Sequence, residues 1–295
     1  MVKVNRIAVL AVGLIGGSLA KCLREKHFAN HIVAWGRKEQ SLQRAVELGV
    51  VDSYSLDLAD AVKDADIVVI ATPTLIAADM LQRLVPVVTE KTIITDVASV
   101  KGNLLVAARE AFGYVPTNLV LGHPIAGSEQ SGVEAANAAL FERHRVILTP
   151  TEETSAEALS TITAMWQATA AEVVNMPVAE HDEVLAATSH LPHVLAYTLV
   201  DALAGEKAQQ DIFKFAAGGF RDFTRIASSD PKMWHDITLA NDRALLKMID
   251  VFSEHLSTLR SAIADADSDA IMGCFQRAKS ARDTFALQLQ KQQGG

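Results

Sequence analysis

The sequence predicts an α/β N-terminal domain, a parallel sheet with helices on both faces, followed by an all-α C-terminal domain. Three observations predict it. Short runs rich in Val and Ile alternate with stretches of helical spacing in the first half. A glycine-broken apolar run near the start has the form of a strand, a tight turn and a helix. After about Pro177, helical periodicity takes over. At roughly 150 residues per domain, a chain of 295 residues accommodates two, 1–177 and 178–295.

The strand candidates are Ile7–Val12, Ile32–Trp35, Ile67–Ala71, Thr92–Asp96 and Leu119–Gly122, each short and apolar enough to be buried on both faces. Between them, helical spacing marks Gly16–Arg24, Glu39–Leu48, Leu75–Leu84 and Asn103–Phe112, with Gly49 a natural C-terminal stop. Arg145–Thr149 and Glu172–Met176 read as two more strands around a helix at Ala156–Ala170. In the second half, Ile237, Leu245, Met248, Phe252, Leu256 and Leu259 recur at helical spacing, so one long helix is expected over Trp234–Ile263. Long amphipathic helices often pair between subunits, which makes a homodimer the expected assembly. Gln288–Gly295 reads as a frayed tail.

Composition narrows the function. A net charge of −8 argues against nucleic acid or an anionic membrane surface as partner, and 49% hydrophobic residues argue against disorder. Cys22 and Cys274 are the only cysteines, without metal-ligand spacing, so neither a disulfide framework nor a structural metal site is expected. That fits a reducing, cytoplasmic compartment. The uncharged run Ile7–Ala20, preceded by Lys3 and Arg6, has the start of a signal peptide, but Gly13, Gly16 and Gly17 interrupt it.

That run reads better as the dinucleotide-binding turn of a Rossmann unit. The G-x-G-x-x-G fingerprint falls on Ala11, Gly13 and Gly16, so its first glycine is missing, and alanine resists the positive φ such a turn can need. The helix start at Leu14 and Ile15 would aim free N–H groups at a diphosphate. About twenty residues on, Ala34 to Lys38 holds no carboxylate for a ribose hydroxyl, and Arg37 could fork onto a 2′-phosphate. NADP is therefore expected in preference to NAD, with a solvated basic turn as the plainer alternative. Thr72 and Pro73, after one strand, and Ser99, after the next, fall in loops that line a Rossmann crevice. Ser99 could touch nicotinamide and substrate, or merely cap the next helix.

His123 ends a buried strand and is followed by Pro124, well placed to reach a cleft and accept a hydroxyl proton as hydride leaves. A purely structural histidine is the alternative. Asp182, Ser189 and His193 are spaced seven and four apart and would project from one helix face, with His181 and His190 pointing elsewhere. Arg225 could hold a carboxylate bidentately or pair with Asp222 or Asp230.

Five strings in order, VGLIGGSLA (12–20), DVASVKG (96–102), GHPIAGSEQSGVEAA (122–136), TSHLPH (188–193) and GGFRDFTRIASSDPKMW (218–234), resemble the prephenate dehydrogenase family, with its arogenate and cyclohexadienyl members. The resemblance implies an oxidative decarboxylation on the route to tyrosine. Hydride leaves the ring carbon bearing the 4-hydroxyl, carbon dioxide departs, and the ring becomes aromatic, with no metal required. It implies that His123 assists deprotonation of the hydroxyl and that Ser99 links that hydroxyl to the nicotinamide. His193 and Arg225, with Ser189 beside them, would receive the carboxylates of a dianionic substrate. Trp234, Glu129 and Asp182 would take supporting roles. The rivals are another two-domain hydroxy-acid dehydrogenase, which would need a catalytic lysine in its helical half, and a non-catalytic NADP-binding scaffold.

Overall fold

The computed structural model describes residues 4–128, 130–204 and 212–293. It divides into two compact units, Met1–Ala244 and Leu245–Gly295. The first is built on strands β1 (Val4–Leu10), β2 (Ala29–Trp35), β3 (Ser53–Ser55), β4 (Ile67–Ile70), β5 (Ile93–Asp96), β6 (Leu119–Pro124), β7 (Arg145–Thr149) and β8 (Glu172–Asn175). They form one sheet in the order β3-β2-β1-β4-β5-β6-β7-β8. Helices α1 (Leu14–Glu25), α2 (Glu39–Glu47), α3 (Leu58–Val62), α4 (Thr74–Leu84), α5 (Gly102–Phe112) and α6 (Ala156–Gln167) connect them.

Alternation along the central strands explains why both faces are covered. Ile7, Val9, Ile67 and Val69 join one core with Leu19 and Leu23 of α1 and Ile162 and Trp166 of α6. Their neighbours Ala8, Leu10, Val68 and Ile70 join a second core with Met80 and Leu81 of α4 and Leu104 of α5. A strand apolar at every position must be covered twice, which is the condition for a parallel sheet.

Three local expectations change. β7 runs antiparallel to β6, because among the described residues between them there is a 3-10 turn at Val133–Ala135 and no crossover helix. β3 and α3 lack an apolar run long enough to read, since β3 is a three-residue, half-exposed SYS. β1 stops at Leu10 because Ala11 takes a φ of 80°, the very conformation expected to exclude alanine there. Its N–H is anchored to the Trp35 carbonyl at 2.8 Å, so the surrounding sheet imposes the angle. A left-handed alanine costs on the order of 1 kcal/mol. Ala11→Gly is therefore expected to stabilise the protein by about that much in urea unfolding. An unchanged midpoint would show that the turn is not strained.

The helical part of the first unit follows from Pro177. It comprises α7 (Val178–Leu185), a π turn at Ala186–His190, α8 (Leu191–Ala204), a 3-10 turn at Ile212–Phe215, α9 (Gly218–Thr224), a 3-10 turn at Arg225–Ser228 and α10 (Pro231–Ala240). The long helix expected from Trp234 to Ile263 is two helices. It breaks at Asn241, whose buried amide donates to the Asp182 carbonyl (2.9 Å) and lies 3.0 Å from His190 Nδ1. Those bonds hold the backbone at φ −114° and ψ 33°, away from helical values.

Helix α11 (Asp242–Ala264) then leads into the second unit, which a short turn completes with α12 (Ser268–Gln293). Helix therefore continues to Gln293, where a frayed tail was expected. Leu246, Phe252, Leu256 and Ile263 on α11, and Met272, Phe275 and Phe285 on α12, are exposed within the single chain. Among the described residues no helix is long and apolar enough to cross a membrane.

Candidate active site

The glycine turn is shaped by a close approach. A Cβ on Gly16 would sit 2.3 Å from the Ala11 carbonyl oxygen and 2.7 Å from Ala71 Cβ, so only glycine lets α1 pack this tightly on β1 and the β4 end. Gly13, the N-cap of α1, has nothing within 4 Å of the corresponding point, and no side chain caps the helix. The amides of the first turn, at Leu14, Ile15 and Gly16, are thus left for an anion. This open cradle fits a dinucleotide diphosphate. Thr72 and Pro73 follow β4, with the Thr72 hydroxyl buried and lacking a partner among the described residues. Ser99 is half-buried on the loop between β5 and α5. It does not cap α5, because Lys101 is the N-cap residue and its side chain makes no cap bond.

The capping group comes instead from the helical part. The Asp182 carboxylate accepts from the Lys101 N–H at 3.0 Å and the Gly102 N–H at 2.7 Å. Asp182 is buried, which by itself would raise its pKa. The bonds from His181 and from the two amides outweigh that burial and hold it below the usual carboxylate range.

Lys101 is fully buried. Its ammonium pairs with the Asp96 carboxylate and donates to the Gly122 carbonyl at 2.8 Å. Asp96 also accepts from the N–H groups of Ala98 and Gly122. This knot ties the end of β5 to β6 one residue before His123. Neither Asp96 nor Lys101 was singled out in the sequence, although a lone acid and base five apart in an apolar stretch are the signal of a buried pair.

His123 is buried at the end of β6, and its Nδ1 lies 2.9 Å from His181 Nε2. His181 Nδ1 in turn lies 2.8 Å from Asp182 Oδ1. His190, also buried, has its pKa lowered to about 4, chiefly by burial. Burial comes first for His123 as well, and the neighbouring His181, Lys101 and His190 add to it, holding its pKa well below the ordinary histidine value. His123 is therefore neutral at pH 7 and able to accept a proton.

Here the expected arrangement changes. A π turn at Ala186–His190 interrupts the regular helix on which the seven-and-four spacing of Asp182, Ser189 and His193 relied. Asp182, His181 and His190 turn into the interior, while Ser189 and His193 stay half-buried. The adjacent pair His181-Asp182 was the available signal.

His193 forms the other side. Its Nδ1 donates to the Ser189 carbonyl at 2.8 Å, and its ring stacks on Trp234 with centroids 3.5 Å apart and planes 19° from parallel. Both line a groove of about 230 Å³ between α8 and α10, with Tyr197 and Pro231. The exposed Arg225 is close enough that its charge, after burial, helps lower the His193 pKa. Val100, beside Ser99, packs on Trp234 and Ile237, linking this group to the loop between β5 and α5. Glu129 lies outside the described residues. Among the described residues no group of three or more His, Cys, Asp or Glu is arranged to hold a metal ion.

A glycine-turn cradle that fits a dinucleotide diphosphate, together with a buried histidine tied to a helical His-Asp pair, is the site of a nicotinamide-dependent dehydrogenase. Residues 19–175 match the prephenate dehydrogenase nucleotide-binding domain, and residues 177–277 match the prephenate dehydrogenase dimerization domain. The chain belongs to the prephenate dehydrogenase family, whose reaction serves aromatic amino acid biosynthesis. It is 36% identical over 281 residues to the cyclohexadienyl dehydrogenase of Zymomonas mobilis, covering 94% of this chain and 95% of that one. The crystal structure of prephenate dehydrogenase from A. aeolicus, in complex with hydroxyphenyl propionate and NAD+, is similar with a TM-score of 0.89. It is 34% identical and covers 96% of this chain and 99% of that one. Synechocystis arogenate dehydrogenase is similar at a TM-score of 0.80 and 32% identity, covering 95% and 99%.

The A. aeolicus complex overturns the expected preference for NADP, since that enzyme is held with NAD+. The structure supplies a reason. Arg37 is exposed at the end of β2, and two residues on the Glu39 carboxylate opens α2, accepting from the Tyr54 hydroxyl at 3.1 Å. A guanidinium at this turn can stack on the adenine of either cofactor, so Arg37 does not by itself select a 2′-phosphate.

Proposed function

We propose that this enzyme oxidises and decarboxylates prephenate with NAD as hydride acceptor, using His123 as the proton acceptor. The observation that carries the proposal is the buried, neutral His123 at the end of β6, tied to the helical part through His181. Bound NAD supplies the carbon that takes the hydride. The cradle at Gly13, Leu14, Ile15 and Gly16 would hold its diphosphate, and Thr72, Pro73 and Ser99 would line its path. Arg37 would stack on the adenine.

The residues of the chain then divide the remaining work. His123 takes the 4-hydroxyl proton as the ring carbon gives up hydride, and Ser99 hydrogen-bonds that hydroxyl. The new ketone draws the electrons of the breaking carbon–carboxylate bond into the ring, and carbon dioxide leaves. Arg225 forks a substrate carboxylate. His193, whose Nδ1 is committed to Ser189, presents Nε2 to the other end of the substrate, beside Trp234. Glu129 is proposed as a further substrate contact. Asp182 acts at one remove, through its bonds to His181 and to the α5 amides. The helical residues from 178 onward would provide the substrate side and, through the exposed apolar residues of α11 and α12, the contact of a homodimer.

A steady-state matrix of prephenate and arogenate against NAD and NADP tests the reading. Turnover is expected to be greatest with prephenate and NAD, with carbon dioxide released in step with NADH. No turnover in any combination would refute the dehydrogenase reading. Higher kcat/KM with arogenate would move the substrate assignment while leaving His123 in place.

A further inference from the structure

We propose that His181 is the positioning residue for the proton acceptor, fixing His123 in the tautomer whose Nε2 carries a lone pair. This rests on the reading of His123 as the proton acceptor, and it assigns a task to a residue that does not touch the reacting atoms.

The tautomer follows from the far end of the chain of bonds. Asp182 is anchored by the Lys101 and Gly102 amides and is ionised, so its oxygens can only accept. His181 Nδ1, 2.8 Å away, must therefore donate. With a single proton on its ring, His181 has one donor and one acceptor nitrogen, so its Nε2 is the acceptor. His123 Nδ1, 2.9 Å from it, must then be the donor, and His123 Nε2 is left free to take a proton. No step in this chain depends on solvent, because the His181 side chain is fully buried.

The anchor resists displacement. A Cβ on Gly102 would fall 2.7 Å from Asp182 Oδ2, so glycine is needed there for the carboxylate to reach the amide. On the other side, Asn241 holds the Asp182 carbonyl and the His190 ring. The charged and titratable groups around His123 are then His181 and Asp182 from α7, His190 from the π turn, and Lys101 with its partner Asp96 from the β5–α5 segment. When His123 takes the hydroxyl proton at Nε2, its Nδ1–H stays on His181, and the Asp182 charge lies behind. No second proton has to move.

The test compares His181→Gln with His181→Leu in the full-length enzyme, assayed with prephenate and NAD. Glutamine can still present an oxygen to His123 Nδ1, whereas leucine fills the volume and accepts nothing. The glutamine enzyme is expected to keep kcat within about tenfold of wild type. The leucine enzyme should lose roughly 100-fold or more, as expected when an acid-base group is misdirected. The KM for NAD should change little in either. Nitrogen NMR of the histidine rings should find His123 with its proton on Nδ1 in the wild-type and glutamine enzymes.

Equal losses in the two variants would overturn the proposal, as would a wild-type His123 ring protonated on Nε2. If the leucine enzyme does not fold, Asp182→Ala replaces it. With no carboxylate to accept from His181 Nδ1, that ring is no longer held in one tautomer, and NMR should find the His123 proton divided between Nδ1 and Nε2; a proton still confined to Nδ1 would overturn the proposal. His123→Asn in the same assay separates the two readings. An active His123→Asn enzyme removes the proton acceptor itself. An inactive one beside a fully active His181→Leu enzyme removes only the role of His181.

Discussion

Replacing His123 by Asn is expected to lower kcat by about 100- to 10,000-fold, the usual cost of losing a general base, with NAD affinity close to wild type. The side chain lies at the end of β6, away from the glycine turn of β1, so the nucleotide cradle should survive the change. The pH profile gives a second reading of the same residue. The active form is the neutral imidazole. Burial, together with His181, Lys101 and His190, keeps the His123 pKa well below the ordinary value. Activity should therefore persist as pH falls through about 6.5, where an unperturbed histidine would half-protonate, and drop only at lower pH. Measuring kcat/KM for prephenate from pH 4 to 8 checks this. An acid limb centred at or above the ordinary histidine value would show that His123 is not the titrating base.

Gly16→Ala should damage both folding and cofactor binding. The new methyl would press on the Ala11 carbonyl and on Ala71. Neither can retreat freely, because Ala11 N–H is bonded to Trp35 and Ala71 N–H to Leu10. Forcing a methyl into such a site costs about 1–3 kcal/mol, and a displaced turn should weaken NAD binding by roughly tenfold or more, about 1.4 kcal/mol. Gly13→Ala is the informative partner. Its methyl would meet no protein atom within 4 Å, so stability should hold while NAD affinity falls, if that space belongs to the diphosphate. Urea unfolding and titration with NAD distinguish the two. Wild-type affinity in both variants would move the nucleotide away from this turn.

Much of the fold was legible because buried parallel strands are apolar at every position. Runs such as IVVI at 67–70 announce themselves without any partner being known. β3 was not legible, since a three-residue edge strand carries no such run. The antiparallel course of β7 depends on what lies between two strands, and that segment reads only as loop. At the site, His123 and Ser99 could be chosen from residue type and local setting, whereas the roles of His193 and Trp234 came from the family resemblance of the strings that hold them. Lys101 and His181 could not, because a buried lysine and a histidine beside an acid gain meaning only from what they touch.

The sequence by itself determined the α/β and helical division, the glycine cradle at Gly13 and Gly16, and the histidine that ends β6. Those features rest on periodicity and on residues whose chemistry is local. The tertiary structure decided what orients and charges that histidine. The π turn at Ala186–His190 and the break at Asn241 interrupt the regular helices around the buried His181, Asp182 and His190. The Asp182 carboxylate then bridges from α7 to the amides of α5, 80 residues earlier in the chain. Bonds over that distance are set by packing, and one extra backbone residue in a helix is enough to change which side chains meet.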